Sequence, residues 1–382
     1  MSYSVKNVCN RRMMRDFLDL PERVYRDDPN FVPPLKAEVR RTLNREKNPY
    51  FKGAELQLFV CYADGSPVAR TAIVINPRHE QKFGARAAFF GFFESVNDPA
   101  AVKTLFAAAV HFCRGQGATL LEGPFNPNHS SELGLLLDHF DRPPVFFQTY
   151  NPPYYARLLE ETGFHVSASL FTARNERIAE FADAHFDLHA PLSLPEGYTI
   201  RHPDMSRLSE EMEKIRLVFN DAFASNWHFL PASKEEYDYS AKFINLITDP
   251  GLISIIEHHG EPVAVVMFVL DVNPLIRQFH GRRGPLKLLR FLRGRRRIRT
   301  VVLYAGGIRK RYQHTRVYPL LSETCARIAR RFDCLEGTWI SEGNMLARRS
   351  AERLGMKPDK HFAIYALSIN ADTKSGPLSD LS

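Results

Sequence analysis

Along this chain, short apolar runs of β character alternate with turn residues and with longer stretches of helical spacing. Met13–Val24 has helical spacing and leads into the Pro-rich Phe31-Val32-Pro33-Pro34. Glu55–Ala63 and Val68–Ile75 read as two strands joined at Asp64-Gly65, a dipeptide that marks a tight hairpin. Ala87–Phe93 is apolar enough to be a buried strand. Asp98-Pro99 opens a helix with proline in its first turn, and the glycines of Gly115-Gln116-Gly117 close it. A strand at Thr119–Glu122, a helix at Tyr154–Glu161 ended by Gly163, and a strand at Phe164–Thr172 follow.

The order then repeats. Residues 175–197, with Pro191 and Pro195, read as a linker. Beyond it come a strand at Tyr198–Arg201, a helix at Ser206–Phe223 capped by Ser206, and a helix at Ser233–Ile247. Leu252–Glu257 and Val263–Leu270 form a second hairpin across His259-Gly260. A strand at Thr300–Ala305, a helix at Pro319–Phe332, a strand at Leu335–Ile340, a helix at Met345–Leu354 and a strand at Phe362–Leu367 complete the series. Local matches support a duplication. Gly65-Ser66-Pro67-Val68-Ala69 returns as Gly260-Glu261-Pro262-Val263-Ala264, and Leu121-Glu122-Gly123 as Leu335-Glu336-Gly337. Leu159–Phe164 returns loosely as Ala351–Met356, and the three offsets are 195, 214 and 192 residues. Their changes place one insertion before Leu335 in the second copy and one after Leu121 in the first. The expected layout is a first domain at 1–174, a linker at 175–197, a second domain at 198–370 with a basic insertion at 275–299, and a disordered tail at 371–382.

A chain of 382 residues fits two domains better than one. With 44% apolar and 25% charged residues, its composition is that of a soluble globular protein. No run approaches the roughly 18 apolar residues of a membrane span, and Met1–Asp16 lacks the apolar stretch of a signal peptide. The five cysteines are scattered without a C-x-x-C, so neither a disulfide framework nor a metal site is expected, and the location expected is cytoplasmic.

Charge changes the picture. The net charge is +8, yet Val272–Ser322 alone holds 14 Lys/Arg and no Asp/Glu, which implies an anionic partner. Within that stretch, Gly284–Arg293 alternates Leu/Phe with Lys/Arg at near-helical spacing, and a run of arginines follows to Arg299. Residues 282–299 therefore read either as an amphipathic helix on the inner face of an anionic membrane or as an ordinary solvated basic helix. Nucleic acid is the less favoured partner, because no nucleic-acid module accompanies the run.

Hairpin, strand, loop, helix, strand, helix ending in L-G-F/M, strand: this order resembles the GCN5-related N-acetyltransferase (GNAT) fold, an α/β open mixed sheet flanked by helices, present twice. The most specific segments are Trp339-Ile340-Ser341-Glu342-Gly343-Asn344 and Glu352-Arg353-Leu354-Gly355-Met356. The chain also resembles a narrower bacterial family of tandem GNAT-like proteins through Gly91–Ser95, Gly123–Asn126, Tyr150–Tyr155, Asn226–Pro231 and Asp271–Pro274. That family includes ceramide synthases, which N-acylate a long-chain sphingoid base from acyl-CoA. The resemblance implies an N-acyltransferase with acyl-CoA as donor and a primary, lipid-like amine as acceptor.

In the GNAT fold the CoA pyrophosphate lies on backbone N–H groups at a helix N-terminus, within a Gln/Arg-x-x-Gly-x-Gly/Ala loop. The matching stretch is Gln313-His314-Thr315-Arg316-Val317-Tyr318, following the strand that leads to Ile308. Arg316 and Tyr318 replace the small residues, so the loop is either a modified CoA site, helped by Arg309, Lys310 and Arg311, or a lost site with a basic turn. The first-half counterpart, Glu94-Ser95-Val96-Asn97-Asp98, is acidic, so the first domain is expected on the acceptor side without CoA. Amide formation needs a proton acceptor. Glu342 with Asn344, at the end of the strand around the thioester, and Glu94 are the catalytic candidates; the alternatives are capping or surface carboxylates. The tyrosine acid common in GNAT enzymes is replaced by Ala351, leaving Tyr312 and Tyr365 as substitutes. Asn226, Trp227, His228, Phe229, Asn126 and Tyr154 are the candidate acceptor contacts. His129-Ser130-Ser131-Glu132 suggests a Ser–His pair without other support. The competing reading is a decayed GNAT-like scaffold at a membrane surface, and peptidoglycan-type aminoacyl transfer is a third.

Overall fold

The computed structural model describes residues 1–282 and 284–369, with backbone only for 241–246. The expected tail at 371–382 lies outside the described residues, as does Arg283 of the basic insertion.

The first half runs β1 (Tyr3–Asn7), α1 (Arg11–Val24), α2 (Lys36–Thr42), β2 (Glu55–Ala63), β3 (Ser66–Ile75), α3 (Pro77–Phe83), β4 (Ala87–Ser95), α4 (Pro99–Gly115) and β5 (Leu120–Gly123). It continues through the short β6 (Phe125–Asn126), β7 (Glu132–Leu133) and β8 (Leu135–Leu136) to α5 (Tyr155–Glu161) and β9 (His165–Asn175). The connecting segment carries α6 (Ile178–His185). The second half comprises β10 (Tyr198–Arg201), α7 (Leu208–Ala222), α8 (Lys234–Ile247), β11 (Ile253–His258), β12 (Glu261–Leu270), α9 (Asn273–Arg277) and α10 (Pro285–Gly294). Then come β13 (Thr300–Ile308), α11 (Val317–Ala329), β14 (Cys334–Gly337), β15 (Ile340–Ser341), α12 (Met345–Arg353) and β16 (Lys357–Ser368).

The repeat is visible strand by strand. Asp64 and Gly65 have φ of 47° and 80°, and His259 and Gly260 have 49° and 80°, so the same turn closes both hairpins. β12 is a continuous apolar run because both its faces are covered. Val265 and Met267 pack on α7, whereas Val266 and Phe268 face the cluster that includes Cys325 and Ala326 of α11. Asp98 caps α4 by accepting from Ala100 N at 3.0 Å. Ser206 does not cap the next long helix: its hydroxyl donates to Asp204 at 2.7 Å, a 3-10 turn intervenes, and α7 begins at Leu208.

The two sheets expected, one per half, run into each other. Fourteen strands share one sheet, whose main path is β1-β2-β3-β4-β5-β16-β9-β14-β13-β12-β11-β10. At its centre β9 and β16 pair antiparallel; β16 also pairs with β5, and β9 with β14. Each half therefore lends its last strand to the other. β5 and β14 have only four residues each, and the exchanged strand covers what would otherwise be an open edge. Residues 271–299 stand where the first half has 76–86, and residues 124–154 where the second half has 338–344.

Candidate active site

The parallel pair β13–β14 holds register from Thr300↔Cys334 to Leu303↔Gly337 and then parts. β13 continues through Tyr304-Ala305-Gly306-Gly307, while the other strand turns away at Thr338 to form β15 beside β9. Thr338 Oγ1 donates to Tyr304 O at 3.3 Å near the apex of this wedge. A Cβ on Gly307 would stand 3.0 Å from Ala222 and 3.2 Å from Phe219, so the glycine lets α7 close on the strand. The wedge opens into a cavity of about 980 Å³ lined from both halves, with Tyr304, Ala305, Thr338 and Trp339 on this side.

The same wedge in the first half is shut. β4 and β5 pair only from Ala87↔Leu120 to Phe89↔Glu122. The chain then crosses the gap: a Cβ on Gly91 would lie 1.7 Å from Phe125 O, and one on Gly123 2.2 Å from Phe90 O. Glycine is required at both points by backbone approach. Asn126 Oδ1 locks the crossing by accepting from Phe92 N at 2.6 Å. The insertion that seals this wedge then lines the cavity through residues such as Asn128, Ser131 and Leu135.

A histidine–carboxylate cluster forms the cavity wall where the halves meet. Glu122 projects from β5 and is 3% exposed; Ser167 of β9 donates to its Oε1 at 2.8 Å. His228 Nε2 stands 3.0 Å from Glu122 Oε2, and His228 Nδ1 lies 2.7 Å from Nε2 of buried His79 on α3. His129 packs between them and Phe125, at 4.0 Å from that ring. Lys82 of α3 donates to Ala224 O at 3.0 Å and to Phe229 O at 2.6 Å, which clamps the loop carrying His228 onto the first half. Burial, with the neighbouring His228, pushes His79 down to about 4 and His129 well below the ordinary histidine range. Both imidazoles are therefore neutral near pH 7 and offer lone pairs to a proton or a cation. Glu122, His129 and His228 each offer one ligand atom within 4.8 Å of the others.

Glu94 lies at the end of β4 on the same cavity. Tyr155 Oη donates to it at 2.8 Å, and buried Arg70 stands 3.6 Å away. Burial raises its pKa, opposed by the Arg70 charge and by hydrogen bonds from Tyr155 and Tyr25.

No family model matches the chain, but relatives align along nearly all of it. Protein YghO of Escherichia coli K12 is 30% identical over 377 residues, covering 96% of this chain and 95% of that protein. Bacterial ceramide synthase of Caulobacter vibrioides is 30% identical over 366 residues, covering 93% and 95%. The chain belongs to the tandem GNAT-like family that includes bacterial ceramide synthase. Among solved structures, a tandem GNAT protein from the clavulanic acid biosynthesis pathway matches with a TM-score of 0.56 at 13% identity, over 97% of this chain and 99% of that one, a likeness of fold.

The residues expected from the resemblance to this family divide into two groups. Asn126, Asn226, Trp227, His228, Phe229, Glu94 and Asn344 line the one cavity. The others sit elsewhere. Glu342 is exposed, its N–H donating to Ser169 O at 3.2 Å. Tyr154 ties α5 to β4 through Ser95 O at 2.9 Å. Asn344 Oδ1 also caps α12, accepting from Ala347 N at 3.1 Å. Beyond Ile308, Gln313 donates back to Ile308 O at 3.2 Å, and Arg316 stands exposed at the start of α11 with His314 and Thr315. Val317 is buried, Tyr318 packs under Arg353, and Pro319 removes one donor from the helix's first turn. Arg309 and Arg311 both pair with Glu261. The sequence reading passed over Glu122 and His79. The signal was present: the apolar strand Leu-Glu-Gly occurs twice, and a carboxylate repeated at one register inside a buried strand marks a position where charge is held for a purpose. Its counterpart, Glu336, is 4% exposed beside Arg174 at 3.1 Å.

Proposed function

We propose that the chain transfers an acyl group from acyl-CoA to the primary amine of a long-chain, sphingoid-base-like lipid. The observation that carries this reading is the asymmetry of the two wedges. The second-half wedge opens into the cavity and is assigned the thioester; the first-half wedge is filled by its own backbone, so that half contributes acceptor contacts instead. In the GNAT arrangement a thioester carbonyl lies against strand N–H groups, which stabilise the oxyanion as the amine attacks. Glu94, the cavity carboxylate whose pKa burial raises, is assigned to receive the ammonium proton, and Asn344 to the thioester side. The exposed position of Glu342 favours Glu94 over it. Arg316, which has no carboxylate partner among the described residues, is assigned to the CoA phosphates. The name of the Caulobacter relative supports the lipid amine.

The acceptor would arrive from a membrane. Leu286, Leu288, Leu289 and Leu292 of α10 are 73%, 50%, 44% and 42% exposed, a leucine patch among Lys287, Arg290 and Arg293. An ordinary solvated helix does not expose four leucines in a row of cations, whereas a helix lying in an anionic lipid surface does. No helix among the described residues is long and apolar enough to cross a membrane. α10 packs on α9, whose Asn273 and Ile276 line the cavity, so the lipid-facing helix borders the chamber. The location assigned is the inner face of the cytoplasmic membrane.

Calorimetry with palmitoyl-CoA, acetyl-CoA and CoA, on the wild type and Arg316→Ala, tests the donor, and mass spectrometry of sphinganine incubated with palmitoyl-CoA tests the transfer. Micromolar palmitoyl-CoA binding, weaker for acetyl-CoA and reduced in Arg316→Ala, with N-palmitoyl product, is expected. A wild type that binds no thioester would leave the decayed scaffold as the better account.

A further inference from the structure

Beneath the cavity wall, polar side-chain atoms converge without the hydrogen bonds that buried groups ordinarily make. Glu122 Oε2 and His129 Nε2 are buried and have no hydrogen-bond partner among the described residues. His228 Nε2 approaches Glu122 Oε2 to 3.0 Å, but without the alignment of a hydrogen bond. Leaving buried polar atoms unmet destabilises a fold. In the tautomers in which both Nε2 atoms are acceptors, one water donates two hydrogen bonds, too few for all three. A single cation meets all three.

Two further observations select a cation. The first is the His79–His228 contact at 2.7 Å. With His228 Nδ1–H donating to His79 Nε2, the other ring nitrogen of His228 presents its lone pair to Glu122 and His129, the outer contact by which metal-bound imidazoles are oriented. The second is backbone conformation. His228 has φ +51°, a region where a side chain is strained and where glycine would sit freely. Strain of this kind persists where the surroundings demand that particular side chain.

We propose that Glu122, His129 and His228 form a binding site for a divalent transition-metal cation of the zinc class, with His79 as the positioning residue behind His228. Two imidazoles and one carboxylate suit that class, and three protein ligands leave a fourth position for water or an oxygen of a bound molecule. His129 and His228 line the cavity, so the open position faces it. Glu122 and His129 come from the first half and His228 from the second, so the cation would also pin the halves together. This site does not depend on the acyl-transfer reading.

The test uses the untagged full chain, freed of metal by chelator and then equilibrated with Zn²⁺. Bound zinc is counted by mass spectrometry after desalting, melting is followed with and without Zn²⁺, and Co²⁺ is added separately for its visible spectrum. The wild type should retain one Zn²⁺ per chain, melt higher with it, and give tetrahedral Co²⁺ absorption. His228→Gly relieves the strained backbone and deletes a ligand, so it should fold at least as well and lose all three signals. His129→Ala should lose them too, and His79→Ala should weaken binding by about 10-fold. Wild type that retains no more zinc than His228→Gly overturns the proposal, as does equal binding by wild type and His129→Ala. Palmitoyl-CoA binding measured on the same samples separates failure of this site from failure of the acyl-donor site.

Discussion

Replacing Arg70 by methionine should destabilise the protein by roughly 4.5–7 kcal/mol near pH 7.5, chiefly because it strands a largely buried carboxylate. Arg70 is 3% exposed. It stands 3.6 Å from Glu94, donates to Phe17 O, and lies 4.6 Å over the Phe17 ring. Breaking a buried ion pair by removing one partner costs about 3–5 kcal/mol. The lost bond to Phe17 O adds about 1 kcal/mol, and the cation–ring contact about 0.5–1 kcal/mol. Methionine keeps most of the volume, so the cavity contribution is small. In a Glu94→Gln background only the last two contributions remain, roughly 1.5–2 kcal/mol, so the two mutations should be coupled by about 3–5 kcal/mol. The pH dependence follows from the sign of the shift. Glu94 has a raised pKa in the folded protein, burial being the main cause, and loss of Arg70 raises it further. A raised carboxyl pKa means that the folded state holds a proton the unfolded chain has released. Stability is then highest below the ordinary carboxylate pKa and falls as pH rises toward the folded value. The Arg70→Met penalty should therefore be smaller at pH 5 than at pH 7.5. Urea unfolding of the four proteins of the cycle at both pH values measures this. An equal Arg70→Met cost in both backgrounds, or a penalty that grows on acidification, would refute the reasoning.

Three further outcomes are expected. Burial pushes the Glu336 carboxyl from 4.5 to about 7 against the pull of Arg174. That group should cost stability as pH rises through this window, by at most about 3.5 kcal/mol at 1.4 kcal/mol per unit. Glu336→Gln should flatten the melting-temperature profile between pH 5 and 8, and an unchanged slope counts against the assignment. Gly91→Ala places a methyl 1.7 Å from Phe125 O, so the crossing must move; a melting temperature within a degree or two of wild type would mean the first-half wedge is not sealed as described. In co-sedimentation with phosphatidylserine vesicles, Leu286→Ser/Leu289→Ser should release the protein from lipid while leaving its melting point unchanged, because both side chains are largely exposed; undiminished lipid binding would place the membrane contact elsewhere.

Much of the fold was legible because it is local. Hairpins at Asp64-Gly65 and His259-Gly260, the capped α4 and the uninterrupted apolar β12 each follow from turn chemistry, capping and burial that a short window of sequence contains. Three pairs of matched segments carried the expectation of a duplication with two insertions. Some elements escaped for physical reasons. β1 is a short edge strand whose residues are largely intermediate or exposed, so it carries little apolar signal, and α6 buries Ile178 and Ala182 within a segment that otherwise reads as a connection.

The sequence by itself determined the α/β character, the repeat, the basic insertion and a shortlist of polar residues, because each is a property of composition or of near neighbours. Only the tertiary structure decided that the halves exchange their last strands, that one wedge is open and the other filled, and that His79, Glu122, His129 and His228 meet. These depend on contacts between residues far apart in the chain, such as His79 with His228 at 149 positions, and on backbone passing within contact of backbone at Gly91 and Gly123. No local pattern encodes such approaches; they are fixed by how a whole sheet is ordered, and it is that order that brings the chemistry together.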